Sequence, residues 1–443
     1  MIALEEHPTV VAYRQKERQT GMLVVHADEI RRIALAAGAD DVGYVRIERA
    51  ELDDERKHIL KAMPAARALI SIVSRMNREP IRSTARSVAN LEFHRTGDHV
   101  DDVAHRIVAE LESRGVRALN PAMGFPMEMD GFPGRGWVIS HKPIAVAAGL
   151  GRMGLHRNVI HPKFGNFILL GTVIIDAEIS SETQPIDYNP CLDCRLCVAA
   201  CPVGAIDAGG AFDFGSCYTH NYREFMGGFS DWVENVVASG DVADYRKKVS
   251  PGETASMWQS LSFGANYKAA YCMAVCPAGE DVIGPFLHDR KQFLDEVVRP
   301  LQNKVETVYV KPESDAEEHV AKRFPHKKIK RVGNGIRLTS IAGFLEALPR
   351  TFSAKRANGL RATYHFTFTG SEEREATVTI GDGLIDVRDG HEGTADLQMT
   401  ADAQTWLAIL RKEQGIAGAL LRRKVKVKGS PKLLLAFGKS FAI

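Results

Sequence analysis

Apolar residues recur along the first third of the chain with two different periods. From Ala27 to Ala37, Ile30, Ile33, Ala34 and Ala37 fall at helical spacing, and Gly38 stands where such a helix stops. VGYVRI at 42–47 and ALISIV at 68–73 are short apolar runs of strand type. Between His99 and Gly115 the helical period returns at Val100, Val103, Ala104, Ile107, Val108 and Leu111, again closed by glycine. The alternation predicts an α/β unit.

The texture then changes. PAMGFPMEMDGFPGRGW (121–137) is rich in Gly, Pro and Met, and AAGLGRMGLHRNVIHPKFGNFILLGTVIID (147–176) sets five glycines among apolar residues. Glycine permits positive φ and a close approach of backbone to a large ligand, and equally makes simple turns, so both readings stand. After a basic connector, PHKKIKR (325–331), the pattern predicts a separate module. TSIAGFLEALPRTF is helical, ATYHFTFTG puts Tyr364, Phe366 and Phe368 on one strand face, and TVTIGDGLIDV reads as a hairpin around Asp-Gly. ADAQTWLAILRK predicts a helix carrying Trp406, Leu407 and Leu410, and IAGALLRRKVKVKGSPKLLLAF ends in an apolar helix over the sheet. RRKVKVK lacks interleaved aromatics and reads as a solvated strand face.

At 443 residues the chain exceeds one ordinary core and predicts about three units. Lys plus Arg number 57 against 55 Asp plus Glu, a net charge of +2, which argues against a global footprint for nucleic acid or membrane. The first residues carry acids and no secretory apolar run, Arg31 and Arg32 lie inside a helical pattern, and no stretch approaches the roughly 18 apolar residues of a membrane span. The expected compartment is the cytoplasm, where clustered cysteines more often bind metal or do redox chemistry than form disulfides.

The cysteines carry the strongest signal. CLDCRLCVAACPVGAI (191–206) places four at offsets of three, three and four and closes with proline, and YCMAVCPAG (271–279) repeats the back half. In a two-cluster ferredoxin arrangement the first three cysteines of such a run hold one cubane and the fourth, before proline, reaches the other. Cys191, Cys194, Cys197 and Cys276 are therefore expected to hold one [4Fe-4S] cluster. The second cluster would take Cys201, Cys272 and Cys217 from FGSCYTHNYREF. Its fourth ligand would come from position 269, which is Ala269. Three thiolates suit a [3Fe-4S] cluster, or a [4Fe-4S] cluster with one ligand that is not cysteine. A zinc ribbon usually pairs separated Cys-x-x-Cys knuckles and does not match this compact run.

The glycine-rich block with its trailing cysteines resembles the cobalamin-dependent iron–sulfur reductases, which comprise the reductive dehalogenases and the epoxyqueuosine reductases. The resemblance covers roughly residues 27–290. It implies a nitroreductase-like core joined to a two-cluster ferredoxin unit, with cobalamin, its lower base displaced, lying on Gly149, Gly151, Gly154, His156, Asn158, Gly165 and Gly171. Where the epoxyqueuosine reductases carry an acidic proton donor, a count back from Gly149 lands on Arg135, a departure from that reaction. The dehalogenases use a tyrosine with a basic neighbour. His141, Lys142 and Tyr218 form the catalytic shortlist, with His220 and Tyr222 following Cys217. The tail resembles the sterol-carrier-protein-2 (SCP2) domain, which implies an apolar tunnel, although the same residues would equally pack a small core.

The expected fold class is α+β. It comprises an N-terminal extension (1–26), a nitroreductase-like α/β domain (27–185), a two-cluster ferredoxin-like domain (186–290), a linker (291–335) and an SCP2-like α+β domain (336–443). The expected function is a reductase fed by an external ferredoxin or flavodoxin-like donor. Its electrons pass through two clusters to a corrin cobalt that reduces a small apolar substrate, as in reductive dehalogenation. The alternatives are an epoxyqueuosine-type tRNA-modifying reductase and a corrinoid-free electron-transfer or sensor protein.

Overall fold

The computed structural model describes residues 3–16, 23–124, 137–268, 270–333 and 338–441. Its N-terminal unit is built on a four-stranded antiparallel sheet in the order Asp41–Arg46, Ala68–Arg75, Ile168–Ile175, Ala118–Leu119. Successive strand residues point to opposite faces, and both faces are covered. Ile70, Ile72, Val173 and Ile175 join Ile30, Ile33, Val103 and Ile107 from the helices Ala27–Ala37 and Arg86–Ser113. Leu69 and Ile174 join Leu52, Ile59, Ile139 and Ile144 on the other side. That is why Ile168–Ile175 is buried at every position.

Gly38 ends the first helix at φ +112°, with its N–H bonded back to the carbonyls of Ala34 and Leu35. The helix expected from His99 begins earlier, at Arg86. Its first turns bury Arg86, Ala89, Thr96 and Gly97, residues that no apolar period marks. Val24–Val25 pairs in parallel with Glu178–Ile179, so part of the expected N-terminal extension belongs to this unit.

Within the stretch expected as a linker (291–335), the described residues 291–333 are folded. Strand Thr307–Val310 pairs in parallel with Lys328–Arg331, and helix Asp315–Arg323 lies between them in sequence. Val308, Val310, Val320 and Phe324 form one core with Val203 and Ile206, beside Cys197 and Cys201. Within the basic PHKKIKR run, the Lys327 ammonium is buried and sits 2.8 Å from Glu306. A charge run read as solvated connector thus includes a buried ion pair, which sequence pattern does not distinguish.

The C-terminal unit has a five-stranded sheet in the order Leu384–Asp389, Arg374–Gly381, Ala362–Thr369, Leu397–Asp402, Val425–Gly429. The hairpin turns on Asp382 and Gly383, both at positive φ, with Gly381 opposite Leu384. Tyr364, Phe366 and Phe368 are buried on one face, as their alternation predicts, and pack with Phe344, Trp406 and Phe437. Helices Ile341–Thr351, Ala403–Leu410 and Pro431–Lys439 supply those partners. Lys426 is exposed on the edge strand, as a solvated face requires. Among the described residues no helix is long and apolar enough to cross a membrane.

Candidate functional site

Two short helices, Leu196–Ala200 and Tyr271–Ala274, lie against each other and organise the cysteines. Each is entered through a non-glycine residue in the left-handed region, Arg195 at φ 59° and Ala270 at φ 51°. Such conformations persist only where the surroundings enforce them. Each helix soon meets Cys-Pro. Proline lacks the N–H that would continue a helix, so the chain turns away at Pro202 and Pro277 and the preceding cysteine faces a new direction. The backbone N–H of Ala205 then points at the Cys201 sulfur from 3.3 Å.

The seven cysteines separate into two groups. Cys191, Cys194, Cys197 and Cys276 line one small hollow with Leu155, His156, Arg195 and Pro277. Cys201, Cys217 and Cys272 line a second, larger one. The walls of the second include Lys142, His156, Asn158, His220, Tyr222 and Tyr267. Burial pushes the Cys197 and Cys272 thiols up to about 12, with the neighbouring thiols adding to it, and raises Cys217 and Cys276 well above the ordinary thiol value. Bare thiolates are thus disfavoured in both hollows. A bound group bringing positive charge reverses that preference, and iron bound by thiolates does so. Four free thiols around one hollow and three around the other are the donor chemistry that iron–sulfur clusters take, and on that ground the residues present fit them.

Polar groups concentrate at the second hollow. The Lys142 ammonium donates to the Arg157 carbonyl at 2.7 Å and to Asn158 Oδ1 at 3.0 Å. The hydroxyls of Tyr222 and Tyr267 lie 3.0 Å apart, and burial raises both phenols. His156 lines both hollows. Its Nδ1 accepts the Asn158 N–H at 3.1 Å, so a neutral ring carries its proton on Nε2. Asn166 Nδ2 stands 2.9 Å from that nitrogen, and since two donors do not bond, turning the amide brings Oδ1, which has no partner among the described residues, to accept there. Burial lowers His156 to about 3, and the nearby Lys142 adds to the effect.

The catalytic shortlist is divided by the structure. Lys142 lines the second hollow. His141 lines neither, because its Nδ1 is 2.9 Å from Thr172 Oγ1 and its Nε2 is 3.0 Å from the Ala122 carbonyl, which makes it a packed, fully bonded core histidine. Tyr218 is not among the residues that line either hollow, and its ring packs on Phe214 with centroids 5.6 Å apart. Phe214, Tyr271 and Arg157 line the second hollow without any sequence signal, since they come from separate segments.

The five glycines meet this chain itself. A Cβ on Gly149 would stand 2.2 Å from the Gln184 carbonyl oxygen, and one on Gly165 would stand 2.1 Å from that of Ala278. Gly151, Gly154 and Gly171 likewise face protein atoms closer than 3 Å. The close approach that glycine permits at these five positions is chain to chain on the Cβ side, while His156 and Asn158 of the same expected set line the second hollow. Gly149, Gly151 and Gly154 also have the spacing of a dinucleotide fingerprint. The block follows helix His141–Ala147 and enters the two-residue strand Arg152–Met153, so the strand-then-helix context of that fingerprint is absent. Arg135 and Ala269 lie outside the described residues.

Comparison with known proteins matches two stretches of the chain to family models. A family model described as the 4Fe-4S binding domain matches residues 185–207, and one described as the SCP-2 sterol transfer family matches residues 344–442. The chain is thus an α+β iron–sulfur protein with a ferredoxin-like cluster motif and an SCP2-like C-terminal domain. Among curated proteins it is similar to the epoxyqueuosine reductase of Cellulophaga algicola. The match is 28% identical over 118 residues, 25% of this chain and 38% of the relative. The epoxyqueuosine reductase of Gloeobacter violaceus is 25% identical over 185 residues, 41% of this chain and 54% of the relative. The chain therefore spans only about 38% of the first of these relatives and 54% of the second.

Among solved structures, epoxyqueuosine reductase from Streptococcus thermophilus aligns with 61% of this chain and 74% of its own at 18% identity and a TM-score of 0.37. A catabolic reductive dehalogenase aligns with 62% of this chain and 34% of its own at 17% identity and a TM-score of 0.38. Overlays this loose decide nothing about function.

Proposed function

We propose that the protein is an iron–sulfur reductase that carries electrons through two clusters to a reaction site beside Lys142. The observation supporting this most directly is the division of seven cysteines into four around one hollow and three around another. Cys191, Cys194, Cys197 and Cys276 would hold the outer cluster. Cys201, Cys217 and Cys272 would hold the inner one. The bound clusters supply one-electron transfer. His156, neutral and between the two hollows, excludes water from the path. Lys142 holds a proton at Nζ next to the inner thiols, and the Tyr222–Tyr267 pair holds two more. These are the groups that can protonate a reduced substrate there.

The finer reading is that the inner site carries a [3Fe-4S] cluster, because Ala269 stands where a fourth thiolate would come from. Cobalamin is the further cofactor that the sequence resemblance supports. No step is assigned to it. The compartment we propose is the cytoplasm, where these thiols stay reduced. The substrate is a small, apolar molecule and the donor a ferredoxin or flavodoxin-like protein.

A second reading is favoured by the curated relatives, which are named epoxyqueuosine reductases. On that reading the substrate is a modified tRNA base, and the near-neutral charge of the chain is not a reason to set nucleic acid aside. The deciding experiment is anaerobic purification with iron and sulfide counts, followed by parallel turnover assays on epoxyqueuosine-bearing tRNA and on halogenated aromatics, with and without added cobalamin. Absence of iron from both sites would defeat the reductase reading. Turnover of the tRNA alone would replace the first substrate class by the second.

A further inference from the structure

Helix Phe214–His220 turns one face to the second hollow. Phe214, Cys217, His220 and the following Asn221 recur at three- and four-residue intervals, and all four line that hollow. Three of them are accounted for. Cys217 is one of the thiols, Phe214 meets Trp137 edge-to-face at 6.3 Å, and the Asn221 side-chain oxygen accepts the Ala270 N–H at 2.8 Å. His220 is the remainder. It is 1% exposed, and its ring stacks on Tyr309. Its Nδ1 accepts the Tyr309 backbone N–H at 3.3 Å, while its Nε2 has no hydrogen-bond partner among the described residues.

An accepting Nδ1 decides the tautomer, because the neutral ring must then carry its proton on Nε2. A buried N–H without an acceptor is destabilising, and in folded proteins it marks a place where a partner is missing. A cluster held by Cys201, Cys217 and Cys272 would bring acceptors to this wall in the form of thiolate and inorganic sulfur. We infer that His220 is a positioning residue of the inner cluster, its Nε2–H donating to a cluster sulfur and raising the reduction potential. The inference rests on the reading that these three thiols hold a cluster.

The same geometry argues against His220 as the missing fourth ligand. A metal-bound imidazole donates its other N–H to a carbonyl or carboxylate, whereas Nδ1 of His220 faces a donor. The hydrogen bond to sulfur acts on potential because the reduced cluster is the more negative form and gains more from a donor. Its loss therefore shifts the potential downward.

The test is a redox titration of the inner cluster, followed by electron paramagnetic resonance, on the full-length iron-loaded protein and on His220→Ala and His220→Gln. Iron per chain is counted in each, and nitrogen coupling is read by pulsed resonance on protein carrying isotopically labelled histidine. Both variants should retain the iron and the outer-cluster signal. The potential should fall in His220→Ala and return most of the way in His220→Gln, whose amide can donate, and the wild-type nitrogen coupling should be weak. An unchanged potential in His220→Ala overturns the inference and leaves a packing role. A strong coupling typical of direct coordination, with iron lost in both variants, overturns it in favour of ligation. Wild-type protein with iron only at the four-thiol site overturns the cluster reading as well, and the iron count separates that failure from the other two.

Discussion

The two sulfur-lined hollows are made by the same local device and end with different walls. In each, a left-handed residue opens a short helix, and a Cys-Pro step then sends one thiol across to the other group. The outer hollow receives four thiols, and besides them its polar lining is Arg195 and the shared His156. The inner one receives three, and is larger and ringed by Lys142, Asn158, His220, Tyr222 and Tyr267. A fully thiolated site with few proton-bearing neighbours suits relay. A site short of one thiolate and rich in such groups suits transfer to a substrate, where electrons and protons must arrive together.

The sharpest way to break the contrast is to remove a thiol from one side. Cys217→Ser should abolish the inner cluster and all turnover while leaving the outer cluster, and Cys194→Ser should do the reverse to the cluster signals. Loss of both clusters from either change would mean that the two hollows are one cooperative site. Next in size is Lys142→Met, expected to lower turnover by about 100-fold or more with both clusters intact, the range of a lost proton donor. Lys142→Arg should recover part of the rate, and a rate independent of residue 142 would move proton delivery to the Tyr222–Tyr267 pair.

The C-terminal unit supplies a third comparison, because it contacts the inner side. Arg350 lies 5.4 Å from the Trp137 ring, which meets Phe214 of the inner wall. Lys57 and Glu346 add an ion pair at 3.1 Å. If the unit shelters an apolar substrate, its deletion should reduce turnover of hydrophobic substrates more than of small soluble ones. Its aromatic core is filled by its own side chains, so Phe366→Ala should cost about 3–5 kcal/mol and lower its melting temperature without touching either cluster signal.

The smallest effect concerns acid. His156 is held neutral in the fold at about 3, against 6.5 for an unrestrained histidine. The unfolded chain therefore binds the extra proton first. Stability that is fully present above pH 6.5 falls as the pH drops toward 3. Between pH 6.5 and 5 the loss amounts to about 2 kcal/mol. Denaturant midpoints of wild type and His156→Gln over that interval should diverge at neutral pH and converge in acid. Parallel lines would show that His156 does not set the slope.

Much of this was legible in the sequence. The helix at 27–37, the central strands, the Asp-Gly hairpin and the aromatic face of Ala362–Thr369 follow from periodicity, because each has one buried face and one partner layer. The cysteines were legible because cluster ligation imposes spacing. What pattern did not reveal depends on tertiary contact. The start of the long helix at Arg86 buries small and polar residues, the folded segment 291–333 hides a lysine in an ion pair, and His141 is a core residue because of Thr172 and Ala122. The glycines were legible as places of close approach, but not as to what approaches. Tyr222, Tyr267 and Lys142 converge from three segments, so no local spacing announces their meeting.

The most direct test of the central claim is electron paramagnetic resonance with iron quantification on the anaerobically isolated protein, beside Ala269→Cys. The account predicts an oxidised three-iron signal from the inner site, iron one atom short of two cubanes per chain, and disappearance of that signal in Ala269→Cys as the fourth iron is retained. A native protein with two complete cubanes and no three-iron signal would contradict it.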